Sequence, residues 1–302
     1  MTRITVFTSK NMLVLSSSLA GLAMLMVGCG QKSAEETGEA LAWACPSHDN
    51  CEQDFCDQTV IPAGDFTMGS DHGPHEDAYW PSGDERPSHL VSLDAFCIDT
   101  YEVSLDRYEA CVDAGECTPN GADWERESAI ETWVNHYPSE CFNDVGKVNT
   151  ECGVRAVNAK TYFQAEAYCE WIGASLCTEA QWERAANGPG PERRLHPWGD
   201  EDPTSDLVNL PSTGTGYVES VDSYHAGASY EGVLNMAGNV YEWVEDAYAL
   251  YETGVDGQPI DNPNNPPTSD EDDGVGRGSC FFTEPEHTVA ERSIFPLDFD
   301  WG

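Results

Sequence analysis

Apolar residues recur at the spacing of one helix face in three stretches of the chain. In the first stretch, Leu105, Tyr108 and Val112 form the apolar stripe. Ser104 has the short hydroxyl side chain that caps helix N-termini, and Gly115 can adopt the left-handed conformation that often ends a helix. The pattern therefore predicts a helix that begins at the Ser104 cap and stops at Gly115.

A second pattern predicts a helix over residues 161–173. Ala165, Cys169 and Ile172 lie on one face of it, and this is the face expected to pack on a core. Residues 118–161, which precede it, lack such a period and are rich in loop-forming residues. We therefore expect little regular structure in that part of the chain.

The third predicted helix follows the second after a short connection. Thr178 and Gln181 stand three residues apart, as the two members of a capping box do, so the helix should begin at Thr178. Gly188 should end it. The side chains expected to face inward are Trp182, Ala185 and Ala186.

Strand-like alternation is short and interrupted. Residues 59–68 alternate as a strand does, but the turn-forming residues 62–65 break the alternation. Residues 259–273 are rich in Pro, Asn and acids and give no core signal. Helices, short strands and long loops together predict an irregular α+β domain with sparse secondary structure.

The N-terminus has the pattern of an export signal. Residues 1–28 contain no acid, carry Arg3 and Lys10 near the start and then run apolar, as signal peptides do. The Gly28-Cys29 junction resembles a bacterial lipoprotein cleavage box, in which Cys29 carries the lipid. A membrane-spanning anchor fits less well, because the apolar run is short and contains three serines.

This signal predicts the domain organisation and the location. Residues 1–28 form the signal peptide, residues 29–59 a lipidated, flexible tether with a Cys-rich segment, and residues 60–302 the main domain. We expect an exported, lipid-anchored protein at the outer membrane that faces the periplasm or the cell surface. The lipid at Cys29 would make the membrane its first partner.

Charge narrows the choice of further partners. The chain has 54 acidic and 14 basic side chains, a formal net charge of −40. Clustered Lys and Arg, which a phosphate backbone requires, are absent from the sequence, so we expect no nucleic-acid partner. An acidic surface favours cations, although adaptation to salty surroundings is an alternative explanation for most of the excess.

The twelve cysteines suit an exported protein, because disulfides persist outside the cytosol. Cys45, Cys51 and Cys56 lie close together and could bind a metal or form disulfides, of which we favour disulfides. Cys111 and Cys117 flank the end of the first predicted helix and could clip it.

One stretch, residues 234–246, has the composition of an ion-binding loop. Asn235 and Glu242 offer hard oxygens, and Gly238 lets the backbone curl so that carbonyl groups point inward, which is the ligand set that calcium prefers. Trp243 and Val244 would anchor the loop to a core. The alternative is a Gly-Asn turn before a half-buried strand, and the spacing alone leaves both interpretations open.

The same stretch contains N-x-x-G-N-V-x-E-W, which resembles a signature of the formylglycine-generating enzyme (sulfatase-modifying factor) family. Six more segments resemble family motifs in the same order, and the resemblance extends from about Val60 to the last residue. These segments are residues 61–70, residues 85–91, residues 96–104, residues 176–188, residues 196–200 and residues 277–279. The resemblance implies an irregular fold of the C-type-lectin-like kind, and it is a weaker guide to activity.

The resemblance also implies two calcium sites. Asn235, Gly238, Val240 and Glu242 match the first candidate calcium site, Gly238 and Val240 through their carbonyl groups. Asn209 and Leu210 match the start of the second candidate calcium site. Family members also use an Asp a few residues further on, where this chain has Thr213 and Thr215, which weakens the second match.

For copper the resemblance implies an incomplete site. Formylglycine-generating members hold copper(I) with cysteines three and eight residues after a serine, which corresponds to Ser279. Phe282 and His287 occupy those positions here, and Cys280 offers a single thiol beside the serine. Ser279 and Cys280 are therefore the only catalytic candidates, and we expect no copper cofactor. The related ergothioneine sulfoxide synthases need an extra N-terminal domain, for which this chain has no room.

The end of the chain leaves two interpretations open. Family members usually close with G-F-R-C, whose cysteine bridges to the position matched here by Cys169, but this chain stops at Trp301-Gly302. The main domain is then C-terminally truncated, or Cys169 is simply a buried thiol.

Together these patterns predict a calcium-stabilised binding or accessory module on an exported lipoprotein, with another exported protein or a glycan as its partner. The alternative is an enzyme, namely an oxidoreductase or other activity of the formylglycine-generating type that modifies a periplasmic protein through an atypical site. The sequence leaves the choice between them open.

Overall fold

The computed structural model describes residues 4–6, 45, 47–50, 54–71, 84–119, 136–141, 148–149, 151–283 and 288–299. Several predictions fall on residues outside these ranges. They concern the lipidation site Cys29, the tether up to residue 44, Cys51, His287 and the chain end at Trp301-Gly302.

The three predicted helices are present with the predicted caps. They are α1 (Leu105–Ala114), α2 (Tyr162–Trp171) and α3 (Glu179–Asn187). Ser104 accepts a hydrogen bond from the backbone of α1, and Thr161 and Thr178 each complete a capping box. Short 3-10 turns occupy Ser139–Cys141, His225–Gly227 and Val255–Gly257.

Ten short strands form three small sheets within the described residues. The strands are β1 (Ile4–Val6), β2 (Gln58–Ile61), β3 (Gly64–Met68), β4 (His89–Leu93), β5 (Phe96–Asp99), β6 (Ser175–Leu176), β7 (Glu242–Ala247), β8 (Ile260–Asp261), β9 (Asp273–Arg277) and β10 (Ser293–Pro296). The break predicted at residues 62–65 separates β2 from β3. The loop predicted at residues 259–273 contains β8, because two of its residues extend a sheet edge.

The sheets are mostly antiparallel. Their strand orders are β2-β5-β1-β6, β10-β9-β7 and β3-β4-β8, and only β4 and β8 run parallel. β3 pairs with β4 so that Phe66 faces Val91, and β9 pairs with β10 so that Val275 faces Ile294. β7 and β9 slip in register between Trp243 and Ala247, which bends the strand that follows the candidate ion loop.

Strand β1 lies inside the segment predicted as a signal peptide. It pairs with β5 on one side and β6 on the other, so it completes the first sheet in the unprocessed chain. The processing of this segment stays a prediction.

The Cys-rich segment before residue 60 is attached to the main domain. Cys45 forms a disulfide with Cys97 of β5, and the backbone N–H of Asp49 donates to the carbonyl oxygen of Ile172 (3.0 Å). His48 lies 2.5 Å from a carboxylate oxygen of Asp99. The ordered domain therefore includes contacts that precede the boundary predicted at residue 60, because the segment is held by side chains distant in sequence.

Cysteine pairing agrees with the predicted preference for disulfides. Cys111–Cys117 clips the end of α1 as expected, and Cys141–Cys152 closes a second short loop. Cys56 is also disulfide-bonded. Three buried cysteines belong to no disulfide in the described part of the chain, namely Cys169, Cys177 and Cys280.

Apolar side chains gather in two large clusters and one small one. The first packs α1 and α2 around Tyr108 and Cys169, and the second packs α3 and the sheets around Trp182 and Phe66. The small third cluster contains Val208, Leu210 and Ala237, under the candidate ion loop. Within the described residues, no helix is long and apolar enough to cross a membrane.

Candidate functional site

The candidate ion loop, residues 234–242, is buried and leads directly into β7. Asn235 (φ 53°), Gly238 (φ 72°) and Asn239 (φ 59°) have left-handed backbone conformations, which Gly and Asn adopt at the lowest cost. A Cβ atom on Gly238 would lie 2.5 Å from the carbonyl oxygen of Asn209, so this position also requires glycine for space. The tight loop ends in a buried strand, as the turn-and-strand interpretation expects, and ion binding by the loop stays a prediction.

Two carboxamides of the loop share one carboxylate. Asn235 Nδ2 and Asn239 Nδ2 donate to Glu102 Oε2 at 2.9 and 2.8 Å, and all three side chains are buried. Glu102 lies two residues before the Ser104 cap of α1. Glu102 lies in a segment that resembles a family motif, but local sequence does not indicate its role, because its partners lie more than 130 residues away.

Glu242, the acidic member of the first candidate calcium site, lies at the start of β7 and is fully buried. Its Oε2 accepts a hydrogen bond from Trp182 Nε1 (2.9 Å), which fixes the carboxylate between the loop and α3. Val240 is buried beside it. Buried amide, carboxylate and carbonyl oxygens are a donor set that suits calcium.

The second candidate calcium site contains one buried oxygen with no hydrogen-bond partner, Oδ1 of Asn209. Asn209 is 1% exposed, and its Nδ2 donates to Asn239 Oδ1 and to the carbonyl oxygen of Tyr217, both at 2.9 Å. A Cβ atom on Gly214 would lie 1.9 Å from Asn209 Oδ1, so the Gly214 backbone packs closely against this oxygen. An unpartnered, buried amide oxygen is a donor of the type that hard cations use.

The other members of the second candidate calcium site fit less well. The carbonyl oxygen of Leu210 already accepts hydrogen bonds from the backbone N–H groups of Thr213 (3.1 Å) and Gly214 (2.6 Å). Thr213 Oγ1 donates to the carbonyl oxygen of Val208, and Thr215 Oγ1 lies 2.5 Å from Glu219 Oε1. In this group of residues, Asn209 Oδ1 is therefore the oxygen that could bind a cation.

Ser279 and Cys280, the catalytic candidates, form a tight turn after β9. Ser279 has φ 64°, an unfavourable value for a non-glycine residue other than Asn or Asp. Thr283 Oγ1 lies 3.0 Å from Ser279 Oγ, 3.2 Å from the backbone nitrogen of Cys280 and 3.3 Å from its Sγ. Burial raises the pKa of the Cys280 thiol, so the turn holds a protonated, weakly nucleophilic sulfur at neutral pH.

Cys280 borders a small, partly open pocket. Half of the lining residues are aromatic, and the Phe295 ring contacts three of the others: its centroid lies 5.4 Å from that of Tyr241, 5.8 Å from that of Trp243 and 5.6 Å from that of Phe299. The complete lining is Asn158, Lys160, Tyr241, Glu242, Trp243, Gly276, Cys280, Phe282, Phe295 and Phe299.

Lys160 is the one basic residue of the pocket wall, and its charged Nζ contacts groups outside the pocket lining. Its Nζ lies 5.1 Å from the centre of the Tyr108 ring and donates to the carbonyl oxygen of Ala159 (2.9 Å). Its own carbonyl oxygen accepts from Trp243 Nε1 (2.8 Å). Burial raises the pKa of the Tyr241 phenol, so this ring is neutral at physiological pH. The wall is therefore mainly apolar.

Residues predicted as separate sites meet in space. The backbone N–H of Gly238 donates to the carbonyl oxygen of Gly278 (2.6 Å), and that of Asn239 donates to the carbonyl oxygen of Asn209 (2.9 Å). The N–H of Phe281 donates to the carbonyl oxygen of Asn239 (3.0 Å). The candidate ion loop thus joins the second candidate calcium site to the Ser279–Cys280 turn.

A buried ion-pair cluster supports the strand that leads into this turn. Arg277, the last residue of β9, lies 2.6 Å from Glu183 Oε2 and 3.3 Å from Glu179 Oε1. Arg292 contacts both carboxylate oxygens of Glu179, at 2.6 and 2.8 Å. These pairs connect residues about 100 positions apart, so their association could not be recognised from local sequence.

Of the two positions that the resemblance implies for copper ligands, the structure describes Phe282. Phe282 lies at the pocket edge, 36% exposed, and its phenyl ring has no lone pair for a metal. Among the residues that the structure describes, no three His, Cys, Asp or Glu side chains form a group that could hold a metal ion. Cys280 therefore stands as a single thiol.

Comparison with known proteins gives relatives that are enzymes. The hercynine oxygenase of Mycolicibacterium smegmatis is 31% identical over 194 residues, which cover 61% of this chain and 44% of that protein. The formylglycine-generating enzyme of Bos taurus is 27% identical over 280 residues, which cover 77% of this chain and 67% of that protein. The chain thus spans less than half the length of the hercynine oxygenase.

Solved structures confirm the expected fold. PvdO from Pseudomonas aeruginosa aligns over 85% of this chain and 95% of its own, with a TM-score of 0.56 and 22% identity. Treponema denticola variable protein 1 aligns over 80% and 90%, with a TM-score of 0.53 and 18% identity. A family model described as the sulfatase-modifying factor enzyme 1-like domain matches residues 46–294. The chain therefore belongs to the sulfatase-modifying factor enzyme 1-like domain family.

Proposed function

We propose that this chain is a binding or accessory module, stabilised by calcium and carried by an exported lipoprotein. The observation that carries the proposal is the turn after β9, where Ser279 is followed by a single buried thiol in an aromatic pocket. Copper(I) in this family requires two thiolates, and one sulfur cannot provide linear soft-ligand coordination. The raised pKa of Cys280 disfavours even the one thiolate.

The pocket beside Cys280 is the proposed binding site. An apolar, aromatic wall suits a side chain or a sugar ring that stacks on it, and an acidic protein attracts partners of opposite charge. The partner would be another exported protein or a glycan, and the lipid at Cys29 would hold the module at the outer membrane.

Calcium is proposed as a structural ion rather than as part of a reaction. Asn235, Gly238, Val240 and Glu242 would hold one ion at the start of β7. Asn209 would contribute its unpartnered Oδ1 to a second ion. Bound cations would fix the left-handed turns of the loop and thereby the adjoining pocket wall, because an ion that binds only the folded state stabilises it.

An enzyme remains the second candidate function. Both relatives compared above are named as enzymes, and the pocket contains a thiol and a phenol, Cys280 and Tyr241. Such an enzyme would be an oxidoreductase or other modifying activity with an atypical site.

A direct assay distinguishes the two candidate functions. The purified protein is reconstituted with copper(I) and incubated with a sulfatase-motif peptide, and conversion of cysteine to formylglycine is followed by the mass change. We expect no conversion, because Phe282 cannot replace a thiolate. Turnover that disappears in Cys280→Ser would overturn the proposal and make this chain an oxidoreductase. A known formylglycine-generating enzyme serves as the positive control.

A further inference from the structure

His136 contacts two residues of the pocket wall, although it does not line the pocket itself. Its Nδ1 lies 3.0 Å from Asn158 Nδ2, and its ring centroid lies 5.4 Å from that of Phe282. Asn158 and Phe282 both line the pocket and come from segments that are remote in sequence. The half-buried imidazole therefore connects two otherwise separate parts of the wall.

The hydrogen bonds of Asn158 determine which nitrogen of His136 carries the proton. Asn158 Oδ1 accepts from the backbone N–H of Ala159 (2.8 Å), so the NH2 end of the carboxamide faces His136. An amide nitrogen can only donate, and His136 Nδ1 must therefore accept. This contact requires a neutral imidazole with its proton on Nε2.

The surroundings of His136 favour this neutral form, because burial lowers the pKa of the imidazole below its usual 6.5. The titratable groups on the elements that pack against His136 have partners of their own. They are Glu219 with Arg155 (3.1 Å), Lys160 with the Tyr108 ring (5.1 Å), Tyr137 with the carbonyl oxygen of Ala156 (2.8 Å) and Cys280 with Thr283 (3.3 Å). The neutral form is complete above about pH 6.5 and is lost as the pH falls below it.

Protonation of His136 would break its contact with Asn158. It places an N–H group on Nδ1, opposite the NH2 group of Asn158, and two donors at hydrogen-bond distance repel each other. The imidazole must then turn or move, and the ring of Phe282 packs against it. One protonation event would thus displace two residues of the pocket wall.

We propose that His136 is a positioning residue of the pocket, which holds Asn158 and Phe282 in place when neutral and releases them when protonated. The inference rests on the proposed function, because it concerns the affinity of the proposed binding site. A ligand that stacks on the aromatic wall should therefore bind more tightly at neutral pH than at acidic pH.

Two substitutions separate the acceptor from the ring. His136→Asn places an amide oxygen near the position of Nδ1, so it can accept from Asn158 and does not titrate in this range. His136→Phe keeps a ring against Phe282 and removes the acceptor. The matched control is His225→Asn, which removes an exposed histidine whose Nε2 lies 3.1 Å from Asp222 Oδ1.

The first measurement is side-chain NMR of the purified full-length protein during a pH titration. At neutral pH we expect the proton of His136 on Nε2. The amide signals of Asn158 and the ring signals of Phe282 should shift with the same midpoint as His136, below pH 6.5, also in His225→Asn. In His136→Asn the Asn158 signals should stay constant over the whole range. A proton on Nδ1 at neutral pH, or Asn158 signals that ignore the titration of His136, would overturn the inference.

The second measurement is the affinity for indole, an uncharged aromatic probe, by calorimetry at about pH 7.5 and about pH 5. Because one hydrogen bond is at stake, we expect binding to weaken at least about threefold at the lower pH. In His136→Asn the two affinities should be equal. His136→Phe should bind weakly at both values, because the ring alone does not hold Asn158.

The two measurements distinguish failure of the inference from failure of the proposed function. Absence of indole binding at either pH would overturn the aromatic pocket as a binding site, and the inference with it. Equal indole affinities at both values in the unaltered protein, while His136 titrates, would overturn the inference and leave the pocket as a binding site. If His136→Phe does not fold, His136→Asn and His225→Asn still decide between these results.

Discussion

The carboxyl group of Asp246 is buried in surroundings that disfavour its ionised form. Burial and the nearby Glu179 raise its pKa from 3.8 to about 7, although backbone N–H groups of Glu179 and Asn265 donate to its oxygens. The unfolded chain ionises Asp246 above about pH 4, whereas the folded chain does so near pH 7. The fold therefore loses stability as pH rises between these values, by at most about 4 kcal/mol.

We predict that Asp246→Asn flattens this part of the stability curve. The free energy of unfolding is measured by chemical denaturation between pH 4 and 8. The matched control is Asp298→Asn, which removes an exposed carboxyl group and should keep the full slope. An unchanged slope in Asp246→Asn would assign the effect to repulsion across the acidic surface instead.

At the residue scale, sequence patterns found candidate ligands and missed what orients them. Asn235 and Glu242 were recognisable because oxygen-bearing side chains lie beside a glycine, and Asn209 was recognisable only through the family resemblance. Glu102 and Arg277 were not assigned roles, since a buried charge is recognisable only with its partner, and their partners are remote in sequence. Long-range pairs of this kind are set by tertiary packing.

At the element scale, two disulfides of different loop length should contribute unequally. Cys45 and Cys97 are 52 residues apart, and Cys111 and Cys117 only 6. In the chain-entropy model, a crosslink stabilises more when it closes a longer loop, about 4 kcal/mol for the first and about 2 kcal/mol for the second. We expect Cys45→Ala to lower the free energy of unfolding more than Cys117→Ala does.

Chemical denaturation of both variants tests this order. Under reducing conditions the unaltered protein should lose its advantage over each variant, because its own crosslinks open. Equal costs for Cys45→Ala and Cys117→Ala in oxidising buffer would show that loop entropy does not set the order.

The elements themselves were predictable where local chemistry decides them. All three helices begin at a hydroxyl cap and keep their expected boundaries within one or two residues. β8 was missed, since two residues of a polar loop become a strand only because β4 offers them a partner. The attachment of the Cys-rich segment was missed for the same reason, as Cys97 and Asp99 are distant in sequence.

At the scale of the whole molecule, the proposed attachment to a membrane would depend on one residue. We predict that Cys29→Ala releases the protein from the membrane fraction, because the short apolar segment cannot substitute for a lipid. Detergent-phase partitioning of the expressed protein measures this. Cys45→Ala, which alters a nearby cysteine outside the cleavage junction, should partition like the unaltered protein, and unchanged partitioning of Cys29→Ala would refute lipidation.

Burial of basic side chains makes the surface more acidic than the composition alone indicates. Five basic side chains are buried, namely Arg107, Lys160, Arg184, Arg277 and Arg292. Composition predicted an acidic protein, but it could not show that so much of the limited positive charge lies inside. Solvent therefore faces few cations, which strengthens the attraction for positively charged partners.

The backbone hydrogen bonds between the candidate ion loop and the Ser279–Cys280 turn give the molecule a further property. The Gly238 N–H donates to the carbonyl oxygen of Gly278, and the Phe281 N–H donates to that of Asn239, so the ion loop and the turn at the pocket wall are hydrogen-bonded to each other. An ion bound in the loop, as proposed, would therefore change the affinity of the pocket for its ligand. By thermodynamic reciprocity the ligand changes the affinity for the ion by the same factor. With calcium bound as proposed, the calcium concentration and the occupancy of the pocket would become readouts of each other.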